Sequence, residues 1–415
     1  MRTFRKFMLF YLFKHVNKLY LLRITNSSIT PMKQDNFSLR KVAPMLMAYM
    51  VMGFVDIVGV ATGYIKQDFE LSDVWAQTIP SLAFVWFFLM SIPSGILQDR
   101  FGKKRMLNMG IALTAVGMLI PFAFYSLFTV AISIILLGVG NTIIQVSSNP
   151  LLRDIISSEK RFASMMSLSQ FIKAIVSLLG PILATFAAAS FDSWRLVFLV
   201  YGVTSIVAYL WLAATTIEES RSTEVRATFA SCLGLLKNPF VLGMTMAIFL
   251  IVGADVGMNS NIAAILSSRY GIGLEEASLA ISIYFTALMI GRFSGALLLS
   301  RIPLRKFLLA SSVLAIAAVV FFMVAPSVNL ARAAIFLVGL GSANLFPLIF
   351  TAAINRMPDR SNEISALMVM AISGGALIPP IMGAVSGAFG VAASAVVILI
   401  CLLYVLFAAL STKLK

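Results

Sequence analysis

Long apolar stretches of about twenty residues, separated by short polar segments, make up most of this chain. A helix needs about 20 predominantly apolar residues to cross the ~30 Å hydrocarbon core of a membrane. On this criterion the sequence predicts twelve spans, at residues 44–65, 78–98, 106–124, 127–152, 165–190, 194–215, 239–267, 276–300, 305–325, 330–354, 363–388 and 391–411. Charged residues are only 12% of the chain, about half of their share in soluble proteins. The sequence therefore predicts an all-α membrane protein with twelve transmembrane helices.

The longest interruption between predicted spans is the charged segment 216–238. We expect it to be a cytoplasmic linker between two six-helix bundles, at residues 44–215 and 239–412. An N-terminal cytoplasmic segment, residues 1–43, precedes the first bundle. Two interpretations of residues 1–31 remain open. They form an amphipathic helix at the membrane interface, or translation starts at Met32 and they are absent from the protein.

Three short stretches recur along the chain at nearly the same offset. Residues 136–145 resemble residues 337–346 at an offset of 201, and residues 180–191 resemble residues 379–389 at an offset of 199. The segment that begins at Ser94 resembles the one at Ser294, at an offset of 200. Three weak matches at one offset predict a parallel repeat of a six-helix unit. In transporters built this way, the substrate binds near the membrane midplane between the repeats.

Basic residues are distributed unevenly between the two sets of predicted loops. One set holds seventeen Lys and Arg residues, whereas the other holds four, namely Lys66, Arg195, Arg269 and Arg332. By the positive-inside rule the first set is cytoplasmic, and so are both termini. The net charge of +15 is therefore a topology signal and does not indicate nucleic-acid binding.

The loop between predicted spans 2 and 3 reads "GILQDRFGKKR", residues 95–105. It resembles the G-x-L-x-D-R-x-G-R-K-[KR] loop of the major facilitator superfamily, and this resemblance implies a twelve-helix transporter. In such a loop the aspartate can meet a helix N-terminus or an arginine across the bundle. We expect a conformational latch formed by Gly95, Asp99, Arg100, Gly102, Lys103, Lys104 and Arg105. The second-half copy has Ser300 where the first half has Asp99, so only the first half is expected to hold the latch.

A narrower resemblance is to the fucose:proton symporter family of sugar permeases. It rests on "GVGNTIIQVSSNPLL" at residues 138–152, on Asp56 with the acidic segment that follows it, and on residues 291–293, "GRF". The resemblance implies proton-coupled sugar transport. The chain departs from the family at one position, because Gln145 matches a glutamate of the fucose permease. This departure puts both the coupling and the identity of the sugar in doubt.

Four ionisable residues lie inside predicted spans. Each half has one acid and one base: Asp56 and Lys173 in the first half, and Asp255 and Arg292 in the second. Ionisable groups within a membrane are costly and mark functional sites. We expect Asp56 to bind the coupling proton, because protonation removes its charge. Two alternatives remain open. Each acid simply neutralises the base of its own half, or the two bases bind an anionic substrate.

Polar residues at helical spacing flank these charges. Amides and hydroxyls suit a polyhydroxylated ligand, because such a ligand needs many neutral donors and acceptors. Trp86 and Tyr284 could stack on a sugar ring, but we expect packing between helices as the more common role of such single aromatic residues. We expect the substrate to be bound by Asn141, Gln145, Asn149, Gln170, Lys173, Asp255, Asn259, Arg292 and Asn344.

The sequence thus predicts a secondary active transporter of a small polar solute, most simply a sugar, with proton symport. An organic-anion or sugar-acid transporter and a non-transporting membrane sensor are the alternatives. The expected location is the inner membrane, and the expected state is a monomer. We expect no enzymatic activity, no nucleic-acid partner, no metal and no cofactor apart from the proton. The chain has a single histidine, His15, and lacks the G-x-x-x-x-G-K-[ST] motif of ATP-driven proteins.

Overall fold

The computed structural model describes residues 39–71, 73–220, 228–272 and 274–411. All regular elements in these ranges are helices. The predictions for residues 1–38, including the start at Met32, lie outside the described residues, as do residues 221–227 of the predicted linker. The division into two bundles with a linker stays a prediction. We call residues 39–214 the first half and residues 239–411 the second half.

The first half consists of seven helices, and a short 3-10 turn, Gly53–Asp56, joins the first two of them. The helices are α1 Leu39–Met52, α2 Ile57–Asp68, α3 Asp73–Phe101, α4 Lys103–Ala123, α5 Leu127–Ile155, α6 Glu159–Phe191 and α7 Leu196–Ala214.

A short helix, α8 Phe229–Gly234, and a 3-10 turn, Leu235–Lys237, lead into the second half. The helices of the second half are α9 Pro239–Tyr270, α10 Leu274–Leu298, α11 Leu304–Val324, α12 Val328–Ser342, α13 Leu345–Arg356, α14 Ser361–Met370, α15 Gly374–Phe389 and α16 Ser394–Ser411. A 3-10 turn, Ala371–Ser373, joins α14 to α15. The pairs α12–α13 and α14–α15 each correspond to one predicted span.

Eleven helical segments of the described chain are long and apolar enough to cross a membrane. They correspond to eleven of the twelve predicted spans. The remaining prediction, residues 44–65, falls on α1, α2 and the 3-10 turn between them. A long apolar run predicts a helix because a segment in lipid must form its backbone hydrogen bonds within itself. The apolar runs were therefore sufficient to locate these helices.

Small residues let neighbouring helices approach closely. A Cβ atom on Gly140 of α5 would lie 2.7 Å from the carbonyl oxygen of Gly110 on α4. In the second half, a Cβ on Gly253 of α9 would lie 2.7 Å from Cβ of Ile378 on α15. Close packing of this kind holds membrane helices together, because apolar side chains gain little by leaving lipid.

The loop 95–105 and its polar partners lie at one end of the molecule, which we call the basic end. The ammonium group of Lys103 lies 2.7 Å from Oδ2 of Asp154, at the end of α5. The same group donates to the carbonyl oxygen of Ser220 at 3.1 Å. The loops that follow α3, α5 and α7 therefore meet at the basic end.

Candidate functional site

Asp56 is the last residue of the 3-10 turn between α1 and α2, and it is partly exposed. The hydroxyl of Ser177 on α6 donates a hydrogen bond to Oδ2 of Asp56. This hydroxyl also lies 3.0 Å from the carbonyl oxygen of Lys173. Tyr201 on α7 is close enough to interact electrostatically with Asp56. The nearest hydrogen-bond partner of this acid is therefore a neutral hydroxyl.

Asp255 lies in the middle of the unbroken helix α9 and is also partly exposed. The hydroxyl of Tyr284 on α10 donates a hydrogen bond to its Oδ1. Only 1% of Tyr284 is exposed, so its ring offers almost no surface on which a sugar could stack. In this conformation Tyr284 is therefore a packing residue, the role that the sequence favours, and its hydroxyl is bonded to Asp255.

The four intramembrane charges are linked electrostatically through Asp255. Asp255 is within electrostatic reach of Arg292, Lys173 and Asp56, in decreasing order of interaction. We call these four residues the charge cluster. In the part of the chain that the structure describes, neither acid forms an ion pair within 4 Å. The structure thus joins charges from both halves, without the two direct pairs that one alternative requires.

Three predicted substrate-binding amides of α5 are buried and bonded to protein groups. Asn141 donates to the carbonyl oxygen of Met52 at 2.6 Å, and its side-chain oxygen accepts a bond from Gln145 at 2.9 Å. The hydroxyl of Tyr49 donates to Oδ1 of Asn149 at 2.7 Å. In this conformation Asn141 and Asn149 therefore hold α1 against α5, and Gln145 supports Asn141.

The other predicted amides differ in their surroundings. Asn344 is buried, donates to the carbonyl oxygen of Gly291 at 2.7 Å and accepts a bond from Ser167 at 2.9 Å. Gln170 lies three residues before Lys173 on α6, and Asn259 lies four residues after Asp255 on α9. Each therefore shares a helix face with one member of the charge cluster. Asn344 instead links α6 of the first half to the second half.

The predicted latch connects the two halves at the basic end. The amide of Asn362, in the first turn of α14, donates a hydrogen bond to Oδ1 of Asp99. Gln98 donates to the carbonyl oxygen of Asn362 at 3.4 Å. A Cβ on Gly95 would lie 2.6 Å from Cβ of Ala366, so the glycine permits α3 and α14 to touch. The aspartate thus bonds to an amide near the N-terminus of α14.

A residue outside the motif completes this loop. The carboxylate of Glu219 accepts hydrogen bonds from the backbone N–H groups of Lys103, at 2.5 Å, and Lys104, at 3.2 Å. It therefore caps the N-terminus of α4, where negative charge is favourable. Gly102, with φ of +92°, makes the turn that a residue with a Cβ would strain. Arg100 and Arg105 are exposed. No spacing rule links Glu219 to the loop, because 115 residues separate it from Lys104.

The second-half copy of the loop lacks this connection. The hydroxyl of Ser300 donates to the carbonyl oxygen of Leu297 in the same helix, at 2.8 Å. Ser300 corresponds to Asp99, and its short side chain is used within the turn. This arrangement is consistent with a latch in the first half alone.

Helix α8 adds a contact beside the latch. Ser231 donates to Oε1 of the buried Glu363 on α14 at 2.8 Å, and Arg360 donates to Oε2 at 2.7 Å. Burial, together with the negative charge of Glu363, raises the pKa of the Cys232 thiol to about 12. Cys232 is fully buried. The segment between the halves is therefore attached to the second half next to the latch.

Comparison with known proteins agrees with this architecture. A sequence model of the Major Facilitator Superfamily matches residues 45–380. The chain therefore belongs to the Major Facilitator Superfamily. It is a multi-pass membrane transporter and not an enzyme, as the loop motif predicted.

Particular relatives extend the comparison along nearly the whole chain. The glucose/galactose transporter of Brucella abortus biovar 1 (strain 9-941) is 26% identical over 391 residues, which cover 90% of this chain and 94% of that protein. The L-fucose-proton symporter of Escherichia coli (strain K12) is 25% identical over 369 residues, covering 78% and 82%. The crystal structure of the E. coli fucose:proton symporter superposes with a TM-score of 0.77 at 20% identity, covering 88% of this chain and 97% of that one. The predicted relationship to this symporter family is confirmed.

Proposed function

We propose that this protein imports a sugar together with a proton by alternating access. The relatives named as glucose/galactose transporter and L-fucose-proton symporter support a sugar as the substrate. The parallel repeat suggests that the sugar binds between the halves, near the membrane midplane. The substrate set then includes the charge cluster together with Gln170 and Asn259.

The single observation that carries the proposal is the state of Asp56. A carboxylate in the middle of a membrane is costly, and this one is hydrogen-bonded to a hydroxyl, without a cation within 4 Å among the described residues. Binding of a proton removes that cost and favours movement of the half that carries it. Asp56 is the coupling residue in this proposal, and Gln145 is not, because a side-chain amide has no group that ionises near neutral pH.

Orientation follows from the distribution of basic residues. We assign the basic end and both termini to the cytoplasm, and the protein to the inner membrane as a monomer. Three contacts between the halves lie at or near the basic end: Asp99 with Asn362, Gly95 with Ala366, and the hydroxyl of Ser365 with the carbonyl oxygen of Val146. A transporter that is closed at its cytoplasmic end faces outward. Opening of this latch is then the step that releases sugar and proton inside.

The test uses the full-length protein in proteoliposomes, with Asp56→Asn and radiolabelled glucose, galactose and L-fucose. We expect counterflow of the transported sugar to persist, because exchange needs no net proton movement. Accumulation driven by a pH gradient should be lost. Asp192→Asn is the matched control, because Asp192 is an exposed acid at the end of α6.

Two outcomes would contradict the proposal. Undiminished accumulation by Asp56→Asn would remove Asp56 from the coupling mechanism. Failure of the wild-type protein to exchange any sugar, neutral or acidic, would reject sugar transport itself.

A further inference from the structure

The charge cluster has an exact balance of acids and bases. With both carboxyl groups ionised, Asp56 and Asp255 offset Lys173 and Arg292. Two further titratable groups face the acids: Tyr201 on α7 beside Asp56, and Tyr284 on α10 beside Asp255. Both are phenols and carry no charge at neutral pH. The charge cluster is therefore neutral when no proton is bound.

The hydrogen-bond donors and acceptors of the charge cluster are not balanced, although its charges are. Each acid of the cluster accepts a hydrogen bond from a hydroxyl, Ser177 or Tyr284. Within the described ranges, the side chains of Lys173 and Arg292 form no hydrogen bond and no ion pair. The Nε atom of Arg292 is buried without a hydrogen-bond partner. What the cluster lacks is acceptors, since ammonium and guanidinium groups only donate.

Proton binding then changes the charge that a ligand meets. A proton on Asp56 or Asp255 leaves the cluster with a net charge of +1, which is costly in a medium of low dielectric constant. A neutral sugar does not correct this excess, whereas a monoanion restores neutrality. We infer that the transported sugar carries one carboxylate, a sugar acid whose negative charge binds between Lys173 and Arg292. This inference rests on the proposed proton-coupled sugar transport and names its substrate class.

The chemistry of the two cations of the cluster suits a carboxylate. A guanidinium group binds a carboxylate through two parallel hydrogen bonds, and an ammonium group adds a third donor. Three of the predicted substrate-binding amides, Asn141, Asn149 and Asn344, are buried and bonded to protein groups. The hydroxyls of a sugar acid would still reach Asn259, which is partly exposed and shares a helix face with Asp255.

The experiment compares two matched pairs of sugars in proteoliposomes that contain the full-length protein. D-glucuronate is tested against D-glucose, and D-galacturonate against D-galactose, because each pair differs only by a carboxylate in place of a hydroxymethyl group. Uptake is measured at pH 6 outside and pH 7.5 inside. We expect the acid of at least one pair to be taken up at least about tenfold faster than its neutral partner, as charge-assisted hydrogen bonds allow.

A second readout reports the charge that moves. Symport of one proton with one monoanion transfers no net charge, so a potassium diffusion potential should leave the uptake rate of the acid unchanged. Symport of a proton with a neutral hexose transfers one positive charge, so an inside-negative potential should accelerate it.

Variants of the bases link the preference to the cluster. Arg292→Gln should lower uptake of the acid by about tenfold or more, and Arg292→Lys should have a smaller effect, since it keeps the charge but loses the paired bonds. Lys173→Gln provides the same test from the first half if Arg292→Gln does not fold. Arg301→Gln is the control, because Arg301 is exposed at the turn after α10.

The outcomes separate the inference from the proposal on which it rests. Uptake of a neutral sugar that equals or exceeds uptake of its acid would overturn the inference and leave sugar transport standing. Uptake of neither kind would reject both. If the uptake rate of the acid changes with membrane potential, symport of one proton with one monoanion is contradicted.

Discussion

The first predicted span of each half carries a glycine followed closely by an aspartate, and the local structure around this pair differs between the halves. In the first half, Gly53 and Asp56 lie in a 3-10 turn that separates α1 from α2. In the second half, Gly253 and Asp255 lie within one continuous helix, α9. The glycines are 200 residues apart and the aspartates 199, so both pairs occupy equivalent places in the repeat.

The surroundings of the two pairs differ in tightness. A Cβ on Gly53 would lie 3.0 Å from both the carbonyl oxygen of Lys173 and Cβ of Val176. A Cβ on Gly253 would overlap Cγ1 of Ile378 and lie 2.9 Å from the carbonyl oxygen of Gly374. The repeat thus determines the position of the aspartate within the span. The neighbouring helices determine how tightly the segment around the glycine is packed. The first half has the looser position, and it carries the proposed coupling acid.

Alanine substitution of the two glycines should give the largest difference between the halves, measured as a change in the free energy of unfolding. We expect Gly253→Ala to lower the free energy of unfolding by about 3 kcal/mol or more, because the new methyl group meets backbone and the base of a side chain. Gly53→Ala should stay within about 1 kcal/mol of the wild type, since helix propensity offsets the mild crowding. Thermal unfolding of the purified protein in detergent measures both changes.

Gly383→Ala is the control for this pair, because nothing lies within 4 Å of a Cβ at that position. Equal destabilisation by Gly53→Ala and Gly253→Ala would show that the two positions are packed alike and would remove the basis of the comparison.

The loops 95–105 and 294–306 offer a second comparison between the halves. Gly95→Leu should push α3 away from Ala366 and open the basic end, and Cys232 of α8 should then react with a maleimide. Ser300→Ala should have no effect, because that hydroxyl bonds only within its own turn among the described contacts. The labelling rate of Cys232, in a Cys401→Ser background, measures the opening.

The pH dependence of the same reaction gives a sharper criterion. Only the thiolate reacts, and a pKa of about 12 keeps the thiolate fraction near one in ten thousand at pH 8. The wild-type rate should therefore rise about tenfold per pH unit through pH 10. In Gly95→Leu the rate should level off near pH 9, the ordinary range of an exposed thiol. Gly387→Leu, with open space around it, is the control. Identical profiles would show that the latch does not cover Cys232.

Removal of the two hydroxyls that donate hydrogen bonds to Asp56 and Asp255 should have the smallest effects on the free energy of unfolding. Tyr284→Phe should cost about 1–2 kcal/mol, because the carboxylate of Asp255 loses a buried donor. Ser177→Ala should cost less than about 1 kcal/mol, since Ser177 is itself partly exposed, unlike Tyr284, and water can replace its hydroxyl. Thermal unfolding with matched transport assays distinguishes the two. A larger loss for Ser177→Ala would reverse the comparison between the acids.

Much of the fold was predictable because the membrane imposes a length and a composition on every span. Eleven of the twelve predicted spans correspond to helices that qualify for crossing. The loop that contains Asp99 identified the superfamily, and the rarity of charge in the apolar runs singled out Asp56, Lys173, Asp255 and Arg292. Ser177 lies four residues after Lys173 on α6, but the sequence does not predict its bond to Asp56. No sequence pattern pointed to Glu219 as the cap of α4. Its contact with Lys103 and Lys104 depends on how the segment after α7 packs against α4.

The sequence by itself determined the membrane class, the repeat and the identities of the intramembrane charges, since these depend only on hydrophobicity and spacing along the chain. Tertiary structure alone decided their partners. It placed the acids beside Ser177 and Tyr284, and it turned Asn141, Asn149 and Asn344 towards protein groups. It also left the side chains of Lys173 and Arg292 without hydrogen-bond acceptors among the described residues. The reason is that a hydrogen bond depends on which helices pack together, and helices that are adjacent in space can be more than a hundred residues apart in the chain.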